Sequence, residues 1–343
     1  MKTLTFKPKS VTKNLLAVLS DRAQDVTINR FGLGKDAEKQ TLEAIGRQYG
    51  ITRERVRQIE SFALRSIKNS DVFKAEEAAL HELRSIIEEY GAILPEDELL
   101  DLLSKDAALQ NHLTFLLTLG DVFDKKKEDK HFNHRWSVDD EISNRVHQAL
   151  HGLYQSLSHD DLIHEDEMIE RFTKKLGTVP ETYKGDEAVL RRWLGLSKVI
   201  GRNQLGEWGL TASSNIRARG IRDYAYLVIR RHGEPLHFTE VAKKIAAMFD
   251  RSAHVATCHN ELIKDKERFA LVGRGLYGLT EWGYSNGVVR DVIKEILSEE
   301  GPLSRDEIVV KIMKKRYVKE NTIIVNLQNK NYFKKTKDGR YSI

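Results

Sequence analysis

At 343 residues and 40% hydrophobic content the chain is long enough for two or three globular domains with packed cores, and its single cysteine, Cys258, excludes a disulfide framework and any four-cysteine zinc site. The lone thiol fits a reducing, cytoplasmic interior; no apolar run approaches the roughly 18 residues of a membrane span, and the opening MKTLTFKPKSVTK lacks a signal-peptide core. The net charge of +5 is unevenly spread, with 14 Lys and Arg against 7 Asp and Glu in residues 1–70, 13 against 8 in residues 284–343, and 29 against 36 between them, so basic ends flank an acidic middle. Clustered Lys and Arg displace counterions from phosphates, so this distribution points to a polyanion at one or both ends.

The first legible elements lie in TLEAIGRQYGITRERVRQIESFALRSI, Thr41 to Ile67. Thr41 is placed to cap a short helix with Leu42 and Ile45 as its apolar positions, Gly50 supplies a turn, and Thr52 caps a second helix. That is the spacing of a helix-turn-helix, whose second helix can enter a major groove. At about 100° per residue, Val56, Ile59 and Ala63 fall on one stripe, and Arg53, Glu54, Arg57, Gln58 and Ser61 on the broadly opposite one. Arginine can bond both acceptors of guanine, glutamine can bond adenine at two points, and glutamate can accept from cytosine's amino group. The bland alternative is a set of ordinary i,i+4 surface neighbours on an amphipathic helix.

The same residues resemble region 4.2 of the sigma-70 family of bacterial transcription initiation factors, and LSDRAQDVTINRFGLG, Leu19 to Gly34, resembles its region 4.1. The resemblance covers about residues 11–68. It implies a domain that reads the −35 promoter element and docks on the flap of the polymerase β subunit through residues near 15–34. By matched position, Arg53, Glu54, Arg57 and Gln58 would contact base edges, and Thr41 and Arg55 the phosphate backbone. Ala44 stands where the family usually has an acid and Thr27 where it has an aliphatic. The family's complete members carry an aromatic-rich region ahead of region 4 that captures melted DNA. Here region 4 begins almost at Met1, so the chain is not expected to open a promoter alone.

Beyond residue 70 the sequence repeats itself. RWSV, EWGL, LYGL and RYSI each join an aromatic, a small residue and an aliphatic, and Trp136, Trp208, Tyr277 and Tyr341 are 72, 69 and 64 residues apart. Each unit reads as a helix, a short apolar extended piece, two further helices and a hairpin, with Ser304 and Glu307 at capping-box spacing in the last. The expected fold is therefore mainly α with small β-hairpin wings: a helix-turn-helix domain at 1–70 and winged-helix modules at 75–138, 140–212, 218–284 and 286–343. In the third module GEPLHFTEVAKKI, HNELIKD and FALVGRGLYGLTEWG resemble the HARE-HTH domain, a winged-helix family found in the δ subunit of some bacterial RNA polymerases, in restriction-system proteins and in chromatin factors. The acidic middle modules suit protein contact. The last module, with Lys311, Lys314, Lys315, Arg316 and Lys319 near its third helix and Lys334, Lys335 and Lys337 on its wing, suits DNA backbone.

Other motifs carry less. GRGLYG, Gly273 to Gly278, matches the dinucleotide fingerprint but falls in an expected hairpin turn with no helix opening after it. His254, Cys258 and His259 lack a second ligand pair at zinc spacing, as do His131 with His134 and His159 with His164. The acid run at 159–167 sits at a helix start, where acids favour the macrodipole. No nucleophile, base and oxyanion set is visible. The chain reads as a DNA-binding transcription factor of the cytoplasm and nucleoid, like a partial sigma factor. It is expected to be no enzyme, to hold no cofactor or metal, and to bind promoter-like double-stranded DNA and the RNA polymerase core, with no membrane and no small-molecule substrate. A sequence-independent polymerase accessory subunit, or the DNA-recognition part of a restriction or defence system, is the alternative.

Overall fold

Proline has no backbone N–H to lose, and Pro8 opens the first helix, α1 (Pro8–Leu16). α2 (Asp21–Phe31) ends where Gly32 turns left-handed at φ 66°. α3 (Leu42–Tyr49) and α4 (Arg53–Lys68) complete an amino-terminal bundle, and α5 (Asp71–Ala75) leads out of it. The computed structural model describes residues 2–284 and 288–343. The expected start of the fourth module, at 286, lies outside the described residues. The chain divides into two compact units, Met1–Arg202 with Gly206–Thr211, and Asn203–Leu205 with Ala212–Ile343.

A similar order of elements then recurs four times, with an isolated bridge in place of the first strand in the second and fourth modules and a short extra helix in the second. The first module is α6 (Glu77–Glu89), β1 (Ile93–Pro95), α7 (Glu96–Leu103), α8 (Ala107–Leu119), β2 (Asp124–Lys126) and β3 (Arg135–Ser137). The second is α9 (Asp140–Ser156), α10 (Glu165–Lys175), α11 (Glu181–Lys184), α12 (Glu187–Leu194), β4 (Ile200–Arg202) and β5 (Trp208–Leu210). The third is α13 (Ile221–His232), β6 (Leu236–His237), α14 (Phe238–Phe249), α15 (Val255–Lys264), β7 (Phe269–Gly273) and β8 (Leu276–Leu279). The fourth is α16 (Val289–Glu300), α17 (Arg305–Lys315), α18 (Glu320–Leu327), β9 (Lys334–Lys335) and β10 (Tyr341–Ser342). The fold is mainly α, a helix-turn-helix bundle followed by tandem winged-helix modules.

The repeated aromatics hold one station in all four. Trp136, Trp208, Tyr277 and Tyr341 each lie in the closing strand and pair antiparallel with Leu94, Ile163, Leu236 and Leu303, the aliphatic residues just ahead of the second helix. That pairing ties the hairpin back to the helical core, and Trp136 and Tyr277 are both 1% exposed. Ser304 and Glu307 form the capping box that their spacing predicts: Ser304 Oγ accepts from Glu307 N at 3.3 Å, and Ser304 N donates to Glu307 Oε2 at 2.8 Å. GRGLYG bridges β7 and β8, with Gly275 in the turn at φ 65°. Glu165, in the acid run, accepts from Arg191 Nε at 2.6 Å and Arg202 Nη1 at 2.8 Å, a clasp inside the second module.

Within the first unit, one strand serves two cores. Successive residues of a strand face opposite ways. Leu94 of β1 enters a core with Leu15, Leu16, Phe115 and Trp136, whereas Ile93 enters another with Val146, Leu150 and Trp193. Carbonyls at and just beyond the end of α6, which have no partner inside that helix, are taken up by the second module. Tyr183 Oη donates to Glu88 O at 2.8 Å, Arg192 Nη1 to Tyr90 O at 2.9 Å and Trp193 Nε1 to Gly91 O at 3.0 Å.

A buried cation sits at the same junction. Arg135 of β3 donates from Nη1 to the carbonyls of Lys127 and Asn133 at 3.1 and 2.9 Å, and from Nε to His147 Nε2 of α9 at 2.6 Å. His147 must be neutral to accept. Burial, and then the Arg135 and Lys126 charges, lower its pKa to about 4. The unfolded chain therefore binds a proton near pH 6.5 that the folded chain refuses until about 4. Stability from this group is complete above pH 6.5, is lost as the pH falls from 6.5 to 4, and changes no further below. Urea unfolding of the wild type and His147→Gln across that window is expected to differ in slope, by up to about 3 kcal/mol in total, with the variant the flatter.

Candidate nucleic-acid interface

Two threonines and two glycines set the geometry of the helix-turn-helix. Thr41 Oγ1 accepts from Ala44 N at 3.1 Å and caps α3; Thr52 Oγ1 accepts from Arg55 N at 3.2 Å and caps α4. Between them Gly50 adopts φ 63°, and Ile51 N donates back to Gly46 O at 2.9 Å. A Cβ on Gly46 would stand 2.7 Å from the Ile51 carbonyl oxygen, closer than carbon and oxygen pack, so α3 can approach the turn only without a side chain there. Val26, Ile45 and Val56, each 0% exposed, lock α2, α3 and α4 together, with Leu42, Tyr49, Ile51 and Ile59 around them.

The polar residues of α2 serve the same frame. Thr27, where an aliphatic was the resemblance's expectation, is fully buried, and its hydroxyl donates to Ala23 O at 2.8 Å, which satisfies it within its own helix. Arg30 donates from Nε to Glu60 at 3.3 Å and from Nη1 to Gln40 O at 3.2 Å, so α2 is pinned to α4 and to the loop ahead of α3. Tyr49 donates to Asp25. Sequence reading did not single out Arg30 and Glu60 as partners, because residues 30 apart carry no periodic signal. Asn111 of α8 was also missed; its Nδ2 donates to Gly32 O at 3.0 Å and Ala37 O at 2.8 Å and holds the loop after α2.

With Val56 turned inward, Arg53, Glu54, Arg55, Arg57 and Gln58 are all exposed on α4. Glu54 accepts two hydrogen bonds from Arg57, at 2.7 and 2.9 Å; they hold the Glu54 carboxyl below its usual pKa and raise that of Arg57. Arg55 Nη1 donates to Gln58 Oε1 at 3.1 Å. Arg53 makes no side-chain hydrogen bond or ion pair among the described residues. Exposed pairs of this kind are screened by salt and exchange readily for other partners. Two such pairs, with Arg53 beside them, present a row of donors and acceptors along one side of α4. Thr41 is exposed, and its hydroxyl hydrogen stays available after the oxygen has accepted its cap bond. Phe62, 64% exposed and one turn beyond Gln58, adds an aromatic edge that the base-reading pattern does not predict.

The basic cluster of the last module is thinner than its sequence suggests. Lys311 pairs with Glu300 at 2.8 Å and Lys315 with Glu295 at 3.1 Å, and Arg316 turns inward, 5% exposed, donating to Leu271 O of the third module at 2.6 Å. Lys314, Lys319, Lys334, Lys335 and Lys337 remain exposed. Cys258 is buried, and burial pushes its thiol up to about 11. No helix among the described residues is long and apolar enough to cross a membrane.

This bundle is a helix-turn-helix of the sigma-70 class. The family model of Sigma-70, region 4 matches residues 15–69, so that part of the chain is a DNA-binding transcription domain. RNA polymerase sigma factor SigA of Listeria monocytogenes and that of Listeria innocua are each 46% identical to the chain over 61 residues. The matched part is 18% of this chain and 16% of the length of each relative. No solved structure matches the chain significantly.

Proposed function

We propose that this protein is a transcription regulator that binds promoter-like double-stranded DNA through α4 and engages RNA polymerase. The observation that carries the reading is the α4 face itself: five long polar side chains, all exposed, on a helix whose other side is held by Val56. In this assignment Arg53, Glu54, Arg57 and Gln58 meet base edges of a −35-like element, and Thr41 and Arg55 meet phosphates. The polymerase core, at its β flap, is the expected protein partner. The apolar residues of the 15–34 span, Leu15, Leu16, Leu19 and Phe31, pack in the chain's own core, so contact there would fall to the exposed Asp21, Arg22 and Asp25 of α2. The winged-helix modules, the third of them HARE-HTH-like, serve as protein contacts and spacers, and the exposed lysines of the last supply phosphate contacts without base preference. We assign the chain no reaction of its own, and a place on the nucleoid in the cytoplasm.

Selection of random duplexes by the purified chain tests this. Wild type should enrich one motif. Arg57→Ala should relax one position of it, with a roughly ten- to hundredfold loss of discrimination there, and Arg55→Ala should weaken all sequences alike. No enrichment, or a motif indifferent to Arg57→Ala, would sink the reading. Polymerase capture that survives Arg53→Ala/Arg57→Ala while selection fails would instead identify a sequence-independent accessory subunit.

A further inference from the structure

A second polar site lies in the first unit, away from the residues assigned to DNA. α1, α2 and α8 enclose a pocket of about 380 Å³, within the size range of small-molecule sites. Lys9 and Lys13 of α1 and Lys35 of the loop after α2 stand on its lining, and no acidic residue does. All three lysines are exposed, and none forms an ion pair or side-chain hydrogen bond among the described residues.

The same lining contains two buried polar groups. Thr12 is 1% exposed and His112 of α8 is 7% exposed, and neither Thr12 Oγ1 nor His112 Nδ1 has a hydrogen-bond partner in the protein. Leaving such groups unmatched costs folding free energy, so their retention beside three uncompensated cations calls for an acceptor. Leu16, Ile28, Leu33 and Ala108 form an apolar part of the wall, and Gln24 and Gly34 complete the lining. Burial, and next the Lys9 charge, lower the pKa of His112, which is the direction a bound anion would reverse.

We propose that this pocket binds a small phosphorylated ligand, its phosphate held by Lys9, Lys13 and Lys35 with Thr12 and His112 donating, and its apolar body lying on Leu16, Ile28 and Leu33. Lysine is a point-charge donor suited to phosphate, and hydrogen bonds to an ionised acceptor are the strong ones. A duplex backbone would need only the exposed lysines and could use neither the concavity nor the buried donors, which favours a free ligand over DNA phosphate. The proposal does not depend on the DNA reading.

The test is calorimetric titration of the full chain with AMP and with inorganic phosphate at fixed ionic strength, for the wild type and for Lys13→Gln/Lys35→Gln, whose positions are exposed and tolerate substitution. AMP is expected to bind once per chain, in about the millimolar range or tighter, and more tightly than phosphate. The double variant should weaken it about tenfold or more while unfolding at the wild-type temperature. A random-sequence duplex should leave AMP binding unchanged. Absence of saturable binding by both probes, or binding indifferent to the double variant, overturns the proposal. Displacement of AMP by duplex, with DNA affinity falling in the double variant, also overturns it and makes these lysines backbone contacts.

Discussion

Val56→Asp is expected to unfold the DNA-reading motif. Val56 is fully buried against Val26 and Ile45, and the one side-chain donor in that cluster, the Tyr49 hydroxyl, is already given to Asp25. The aspartate must either ionise in an apolar site or remain protonated and unpartnered, at a cost of about 3–5 kcal/mol. Val56→Ala removes only two methyl groups and should cost about 1–3 kcal/mol. The three-residue cluster meets the larger core that α1 shares with α8 only through Ile59, so the damage should centre on α3, the first half of α4 and their contact with α2. Hydrogen exchange would show this as lost protection over residues 42–60, with protection retained in α6 and α8. DNA binding should disappear with it. Arg57→Ala is the counterpart control, because it should change selection and leave protection intact. Equal protection in Val56→Asp and wild type would contradict the packing described.

Gly91→Ala should carry the second large effect, at a site outside the residues assigned to DNA. Gly91 adopts φ 112°, a conformation that L side chains rarely enter. A Cβ there would also stand 2.7 Å from Val189 Cγ1 and 3.0 Å from Trp193 Nε1, the indole that donates to the Gly91 carbonyl. Backbone strain and displacement of the indole together should cost about 2–5 kcal/mol. Because Arg192 and Tyr183 bond the neighbouring carbonyls, the loss should propagate through the whole clasp between α6 and the second module. Scanning calorimetry should show the transition of the first unit moved down and that of the second unit unmoved. A single transition shifted as a whole, or no shift at all, would refute this account.

Much of the helix-turn-helix and of the polar face of α4 was legible in the sequence because its determinants are local. Caps act over three residues, a helix period over three or four, and a left-handed turn at one glycine. Thr41, Gly50, Thr52 and Val56 therefore announce the helix-turn-helix unaided, and the four aromatics at domain-sized intervals announce the repeat. Lys311, Lys315 and Arg316 show the limit of the same reasoning. They count as charge in a sequence, yet two are neutralised by glutamates of the preceding helix and one is spent on a carbonyl of another module.

What the sequence determined by itself was the order and type of the elements and the polar face of α4, since periodicity and capping are properties of neighbouring residues. Only the tertiary structure decided that β1 feeds two cores, that Asn111 holds the loop after α2, and that Thr12 and His112 line one pocket with three lysines. Those pairings join residues tens of positions apart through burial and hydrogen-bond geometry. A linear pattern contains no term for such distances until the chain has closed on itself.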